Sequence, residues 1–224
     1  MASNLDLQEQ EQLDELKAFW NQYGNLITWG LVLVLGAFAA INGWDAWQRN
    51  QGGKAAVMYD EFDKALQAGD VDQAGRVFND LKERYPRTAY AQQAGLQAAK
   101  LQADKSKADD ALASLNWVAD QGTDDEYKSL AHLRLASLQL DKKAYDEALK
   151  QLDGVKSPEF AALADDRRGD ILLLQGKKDD AVKAYLAAYK GLNEKLDYRR
   201  IVEAKLASLA AAPEADAAAS GVAK

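Results

Sequence analysis

The side chains in this chain with the types and spacing for catalysis are carboxylates, and they come in adjacent runs: Asp109-Asp110, Asp124-Asp125-Glu126, Asp165-Asp166 and Asp179-Asp180. Paired acids act as general acid and base only when a partner and a substrate pocket position them. No such partner can be assigned here. Most of the runs precede or open a predicted helix, where acids complement the positive end of the helix dipole, so capping and solvation is the reading they support. The chain has one histidine, His132, and no cysteine. That leaves too few imidazoles for a histidine-based metal cluster, and it removes thiol nucleophiles, disulfides and thiolate sites. His132 adjoins Leu133 on a predicted helix and reads as a packed or interfacial residue. Arg167-Arg168-Gly169-Asp170 reads as inter-helix ion pairing around a close-packed glycine. Glycine-rich phosphate loops, His-Glu-x-x-His and Gly-x-Ser-x-Gly patterns do not occur. The expectation is a protein without catalysis and without a cofactor.

Charge narrows the partners. The formal net charge is −7 over 224 residues, and five acids against Lys17 place −4 of it in the first seventeen. The remainder is mildly acidic, with no basic stripe to neutralise phosphates, so nucleic-acid binding is not expected.

The elements that position any functional surface begin with an anchor. No charged residue occurs between Lys17 and Asp45, and Leu26–Trp44 is an apolar run. About twenty helical residues span roughly 30 Å, the hydrocarbon thickness of a bilayer. Trp20, Tyr23 and Trp29 near one end and Trp44 and Trp47 near the other suit the headgroup level. A cleaved signal peptide is the competing reading, through Ala37-Phe38-Ala39. The preceding segment is long and acidic, however, and the apolar run continues past the triplet. Tyr23-Gly24 reads as a turn before the span, and Gln51-Gly52-Gly53 as a hinge after it. Gly36 with Ala40, and Ala39 with Gly43, are small residues four apart that permit close helix approach in lipid. They are the candidate membrane-helix contacts. Lysine and arginine counts in the flanks do not decide orientation.

Beyond the hinge the chain reads as nearly all helix, and it repeats. Val71-Asp-Gln-Ala74, Ala108-Asp-Asp-Ala111, Tyr145-Asp-Glu-Ala148 and Lys178-Asp-Asp-Ala181 align on alanines 37, 37 and 33 residues apart. Four residues after each alanine stands Phe78, Leu115, Leu152 or Tyr185; twelve before stands Phe62, Ala99, Ala136 or Gly169. Five before stands a turn-tolerant or polar residue: Gly69, Ser106, Lys143 or Gly176. A small residue on each helix lets a hairpin cross closely, and a large one beside it fills the groove. Repetition at about this period is the tetratricopeptide signature. The expected architecture is therefore all-α, a single N-terminal transmembrane helix followed by a tetratricopeptide-like solenoid of helical hairpins. The expected boundaries are an acidic leader over 1–24, the span over 25–47, about four hairpins and a capping helix over 54–210, and a disordered Ala-rich tail over 211–224.

With catalysis unsupported, function is expected on the face lined by the first helix of each hairpin. By repeat position that face comprises Leu96, Lys100, Leu133, Ser137, Leu140, Asp166, Asp170 and Leu173. Its mixture of apolar and charged groups suits extended or partly unfolded peptide better than one fixed carboxylate.

The pattern as a whole resembles the ancillary SecYEG translocon subunit family (YfgM-like) over nearly its full length. The matching residues are Leu16-Lys17, Phe19-Trp20 and Gly24 before the span and Gly43-Trp44 at its end. In the domain they are Leu133-Arg-Leu-Ala136, Ala148-Leu-Lys150 with Leu152-Asp153, and Asp166-x-Arg168-Gly169-Asp170 with Leu172-Leu173 and Gly176. The Ala-rich tail departs from the family pattern. The resemblance implies a bacterial inner-membrane protein with a cytoplasmic N-terminus and a periplasmic repeat domain. It further implies association with the SecYEG translocon and with a membrane-anchored periplasmic chaperone of the prolyl-isomerase type (PpiD-like), and a role in passing exported client proteins to periplasmic chaperones. Members of the family are also described as cell-division coordinators, which gives a periplasmic scaffold for division or envelope synthesis as the alternative.

Overall fold

The computed structural model describes residues 7–211, with side-chain exposure from residue 12. The expectations for residues 1–6 of the leader and for the Ala-rich tail from residue 212 fall outside the described residues. Among the described residues the regular elements are all α-helices, in keeping with the expected fold class: α1 (Leu7–Gln67), α2 (Val71–Arg84), α3 (Ala89–Asp104), α4 (Ala108–Gln121), α5 (Asp125–Asp141), α6 (Tyr145–Leu152), α7 (Pro158–Leu174), α8 (Lys178–Gly191) and α9 (Asp197–Ser208). The chain divides into two units, Met1–Gln51 and Gly52–Lys224.

In the first unit, α1 carries the stretch that is long and apolar enough to cross a membrane. Its large side chains are exposed, Leu26 by 74% and Leu33 by 71%, as a lipid-facing helix requires. The polar side chains within it are satisfied by the helix itself: the Thr28 hydroxyl donates to the Gly24 carbonyl at 2.7 Å and the Asn42 amide to the Phe38 carbonyl at 2.8 Å. In hydrocarbon no water would do this for them. Paired rings mark both ends, Phe19 with Tyr23 and Trp44 with Trp47, each pair 5.2 Å apart. The turn expected at Tyr23-Gly24 is absent, because the backbone there is helical. The physical reason is local: the Trp20 ring lies over Gly24, 3.2 Å from where a Cβ would stand, so the glycine accommodates an indole rather than bending the chain. Gly52-Gly53 is helical backbone as well.

In the second unit the C-terminal turns of α1 and α2 form the first hairpin, sharing one apolar cluster through Ala55, Phe62, Ala65, Ala74, Phe78 and Leu81. α3 pairs with α4, α5 with α6 and α7 with α8, and α9 packs on α8. The repeat alanines hold their expected places: Ala74 is 1% exposed, and Ala111, Ala148 and Ala181 are fully buried. Their large companions are equally covered, with Phe78, Leu115, Leu152 and Tyr185 each 2% exposed or less. Further apolar clusters follow around Leu115–Leu135, Leu152–Ile171 and Tyr185–Leu206. No hairpin buries its apolar face alone, and stacking makes the core continuous.

The four turn positions read from the sequence share one backbone conformation. Gly69, Ser106, Lys143 and Gly176 have φ of 66°, 60°, 59° and 77°. Around each, the next amide bonds five residues back: Asp70 to Ala65, Lys107 to Gln102, Ala144 to Gln139 and Lys177 to Leu172, at 2.8–3.0 Å. Together with the bonds from Gly69, Ser106, Lys143 and Gly176 to the carbonyls three residues back, this is the Schellman helix stop with its left-handed residue.

Hairpins are tied to one another by polar contacts at fixed repeat positions. The acid two residues before each of the first three anchors reaches the next turn: Asp72 to Lys107 at 2.6 Å, Asp109 to Lys142 at 3.2 Å, and Asp146 accepting from Gln175 at 3.0 Å. At the loops between hairpins, the side-chain oxygen Oε1 of buried Gln92 accepts from the Thr123 and Asp124 backbone amides, and the buried Ser129 hydroxyl accepts from the Lys156 and Ser157 backbone amides. Those bonds satisfy loop donors that would otherwise be stranded beside the core.

Candidate partner-binding face

The first helices of successive hairpins are neighbours, α3 beside α5 and α5 beside α7. The residues expected on the binding face divide into three groups. Leu96 and Leu133 are 4% and 8% exposed and belong to the core, and Leu140 is half-buried against the cluster containing Leu133. Lys100 and Ser137 line a groove, described below. Asp166 and Asp170 lie in a charged cluster shared with α9, while Leu173 is 38% exposed. The structure therefore brings Lys100 to Ser137 and Asp166 to Asp170, and withdraws Leu96 and Leu133 of the second and third hairpins from the surface. The reason is periodicity: α3 and α5 are packed by other helices on more than one side, so a residue one turn from the inner face is already core.

The groove is an opening of about 300 Å³ lined by Ala99, Lys100 and Ala103 of α3, Leu115 of α4, and Arg134, Ser137 and Leu138 of α5. Its floor is alanine and leucine, and its polar centre is Arg134. The guanidinium donates from Nη1 to the Leu96 carbonyl at 2.8 Å. Burial alone pushes this arginine below its ordinary range, with no acid acting in the other direction. At the rim, Lys100 pairs along its own helix with Asp104 at 3.6 Å. Arg134 has no role among the sequence expectations; the signal for it is a lone cation in the mostly apolar stretch Leu130–Leu138, whose other polar residues are His132 and Ser137.

The charged cluster closes the other end of the stack. Asp166 is completely buried and accepts from Lys205 Nζ at 2.8 and 2.9 Å and from the Tyr198 hydroxyl at 2.6 Å. Asp170 accepts from the same Nζ at 2.7 Å and from the Tyr185 hydroxyl at 2.8 Å. Burial and the adjacent carboxylates raise both tyrosines far above the usual phenol range. Gly169 lies between the two acids because the Tyr185 ring stands 2.5 Å from the place of a Cβ, and Arg168 pairs back to Asp153 at 2.9 Å. The motif Asp166-x-Arg168-Gly169-Asp170 is thus an assembly device: glycine for ring packing, two acids for α9, and an arginine for the preceding turn. This is the ion pairing around a glycine that the sequence suggested for Arg167–Asp170.

The remaining chemistry-bearing residues are similarly occupied. His132 Nδ1 is 2.8 Å from the Gln151 side-chain oxygen, and its ring packs against Gly154. Asp124 caps α5 through the Glu126 and Tyr127 amides, while Asp109-Asp110 and Asp179-Asp180 open α4 and α8. Among the described residues no group of three or more His, Asp or Glu side chains is placed to hold a metal ion. In the first unit, Gly36, Ala39, Ala40 and Gly43 are exposed on α1, and a Cβ at either glycine would meet nothing within 4 Å.

A stack of helical hairpins with buried small anchors and Schellman stops defines the tetratricopeptide class, and the model of the tetratricopeptide repeat-like domain family matches residues 17–211. The chain is 30% identical over 207 residues to the ancillary SecYEG translocon subunit of Neisseria gonorrhoeae, covering 91% of this chain and 98% of that one. It is 30% identical over 182 residues to the subunit of that name in Escherichia coli and 29% over 184 in Aggregatibacter actinomycetemcomitans, covering 81% of this chain and 87% and 89% of theirs. The chain belongs to the ancillary SecYEG translocon subunit family.

Proposed function

We propose that this protein is a non-enzymatic, membrane-anchored binding subunit that associates with the SecYEG translocon and passes exported proteins to periplasmic chaperones. The observation that carries this reading is the extent of the relationship: the match to a named translocon subunit covers 98% of that relative. It therefore includes the apolar helix as well as the repeats. In this reading α1 crosses the inner membrane, the N-terminus is cytoplasmic and the hairpins are periplasmic, beside a membrane-anchored chaperone of the prolyl-isomerase type (PpiD-like). A trailing domain of this size is translocated regardless of a difference of one or two flanking charges. Gly36, Ala39, Ala40 and Gly43 supply a face on which another membrane helix can approach closely.

The test is site-specific photo-crosslinking of the full chain in native membranes. Positions with exposed side chains serve it: Gly36 and Ala40 in the span, Lys100 and Leu173 on the hairpins. The expected outcome is adducts with channel subunits from the span and with chaperone or exported chains from the hairpins. Capture of neither from any of the four positions overturns the reading.

A further inference from the structure

Arg134 is a half-buried cation whose counter-ion is missing from the described residues. Its one hydrogen bond goes to a backbone carbonyl, the Leu96 oxygen, that already accepts within α3. Burial is the whole of its electrostatic perturbation, since no aspartate or glutamate contributes. Lys100, the other charged residue lining the groove, pairs with Asp104 along α3. Elsewhere in the domain cations this deeply set are matched by acids, as Lys205 is by Asp166 and Asp170. Desolvating a charge without pairing it is unfavourable, and a guanidinium has five N–H donors of which one is used here. The surrounding wall is Ala99, Ala103, Leu115 and Leu138, with Ser137 as its other polar group.

We infer that the α3–α5 groove binds an extended polypeptide segment in which an aspartate or glutamate, flanked by small apolar side chains, sets its carboxylate on Arg134. The proposal deepens the binding role given above and rests on it. A planar guanidinium matches a carboxylate with two parallel bonds. Ala99 and Ala103 on the α3 side leave room for a peptide backbone, and a peptide seated against them and against Leu115 and Leu138 displaces the water that would otherwise weaken the pair. The groove thereby selects clients by one acid among apolar neighbours, rather than by hydrophobicity alone.

The experiment uses the full chain in mild detergent and two fluorescein-labelled peptides, Ala-Val-Ala-Glu-Ala-Val-Ala and the same peptide with glutamine for glutamate, read by anisotropy. Charge-assisted hydrogen bonds at a partly dry site predict at least about tenfold tighter binding of the glutamate peptide. Arg134→Met keeps the length and apolar contacts of the side chain, and removes that preference while leaving the glutamine peptide unaffected. Equal binding of the two peptides by the unsubstituted protein overturns the proposal without recourse to any variant. So does failure to bind either, or a preference that survives in Arg134→Met. Co-purification of the unsubstituted protein with the translocon is measured in parallel. If it persists while the peptide preference is absent, only the groove assignment fails; if it too is absent, the wider reading fails.

Discussion

Two of the four Schellman stops inside the hairpins use glycine at the left-handed position and two do not, which permits a reciprocal test. Lys143, at φ 59°, has an exposed side chain, and Gly176, at φ 77°, has nothing within 4 Å of the place of a Cβ. Lys143→Gly removes a left-handed strain of about 1–2 kcal/mol. Against this stands the larger conformational freedom glycine gives the unfolded chain, about 0.4–1 kcal/mol. The net expectation is a stabilisation of about 0.5–1 kcal/mol, and Gly176→Ala should destabilise by the same amount because its added methyl meets no atom. For a domain of this size that is a shift of roughly 1–4 °C in each direction. The assay is thermal unfolding of the full chain in mild detergent followed by circular dichroism at fixed detergent and protein concentration. Both substitutions together, at sites in different hairpins, should nearly cancel. A lowered melting temperature for Lys143→Gly, or a raised one for Gly176→Ala, refutes the reasoning that the left-handed residue limits these turns.

Other substitutions test the packing and the charged cluster. Ala148→Leu should overpack the third hairpin and destabilise by about 1–3 kcal/mol; an unchanged melting temperature would contradict the burial of that anchor. Gly169→Ala drives a methyl into the Tyr185 ring, whose hydroxyl is held by Asp170, and should destabilise by a similar amount, with Tyr185→Ala relieving the penalty in the double variant. Lys205→Met leaves Asp166 buried without its cation and should destabilise by about 3 kcal/mol, whereas adding Asp166→Asn should recover part of the loss; chemical denaturation of the three variants decides. Tyr185 and Tyr198 keep their protons in the folded state to higher pH than in the unfolded chain. Their contribution is therefore fully present below about pH 10 and lost as pH rises beyond it. Stability titrated upward from pH 9 should fall less steeply in Tyr198→Phe, and an identical slope would show that this phenol does not gain its proton from folding.

The repeat register was legible because its determinants are local. Alanine at Ala74, Ala111, Ala148 and Ala181, a large residue one turn on and a stop five residues before recur inside windows shorter than one hairpin. Even the non-glycine stops at Ser106 and Lys143 announced themselves by position rather than by residue type. The face was less legible. Leu96 and Leu133 were placed by repeat offset, but whether an inner-face residue ends in the core depends on how far the neighbouring hairpins close over it. Asp166 and Asp170 read as surface acids because their cation, Lys205, lies 39 and 35 residues away in sequence, on a helix outside the repeat pattern. Tyr23-Gly24 misled for a related reason: glycine signals a turn in water, while in an anchor it can serve as the seat for a ring four residues earlier.

A stack of hairpins exposes at its last member a surface already shaped to receive another hairpin, much as a sheet exposes an edge strand, and so invites copies to join end to end. In this chain α9 occupies that surface, and beside the apolar seam of Val202 and Leu206 against α8 it is held there by a lysine between two carboxylates and a pair of phenols. The tie that links Asp72, Asp109 and Asp146 to the following turns does not continue from α8 to α9 among the described residues. At the last described hairpin an ionic lock from α9 thus takes the place of the repeating polar tie, so the end of the stack is closed by a contact that the inner hairpins do not share.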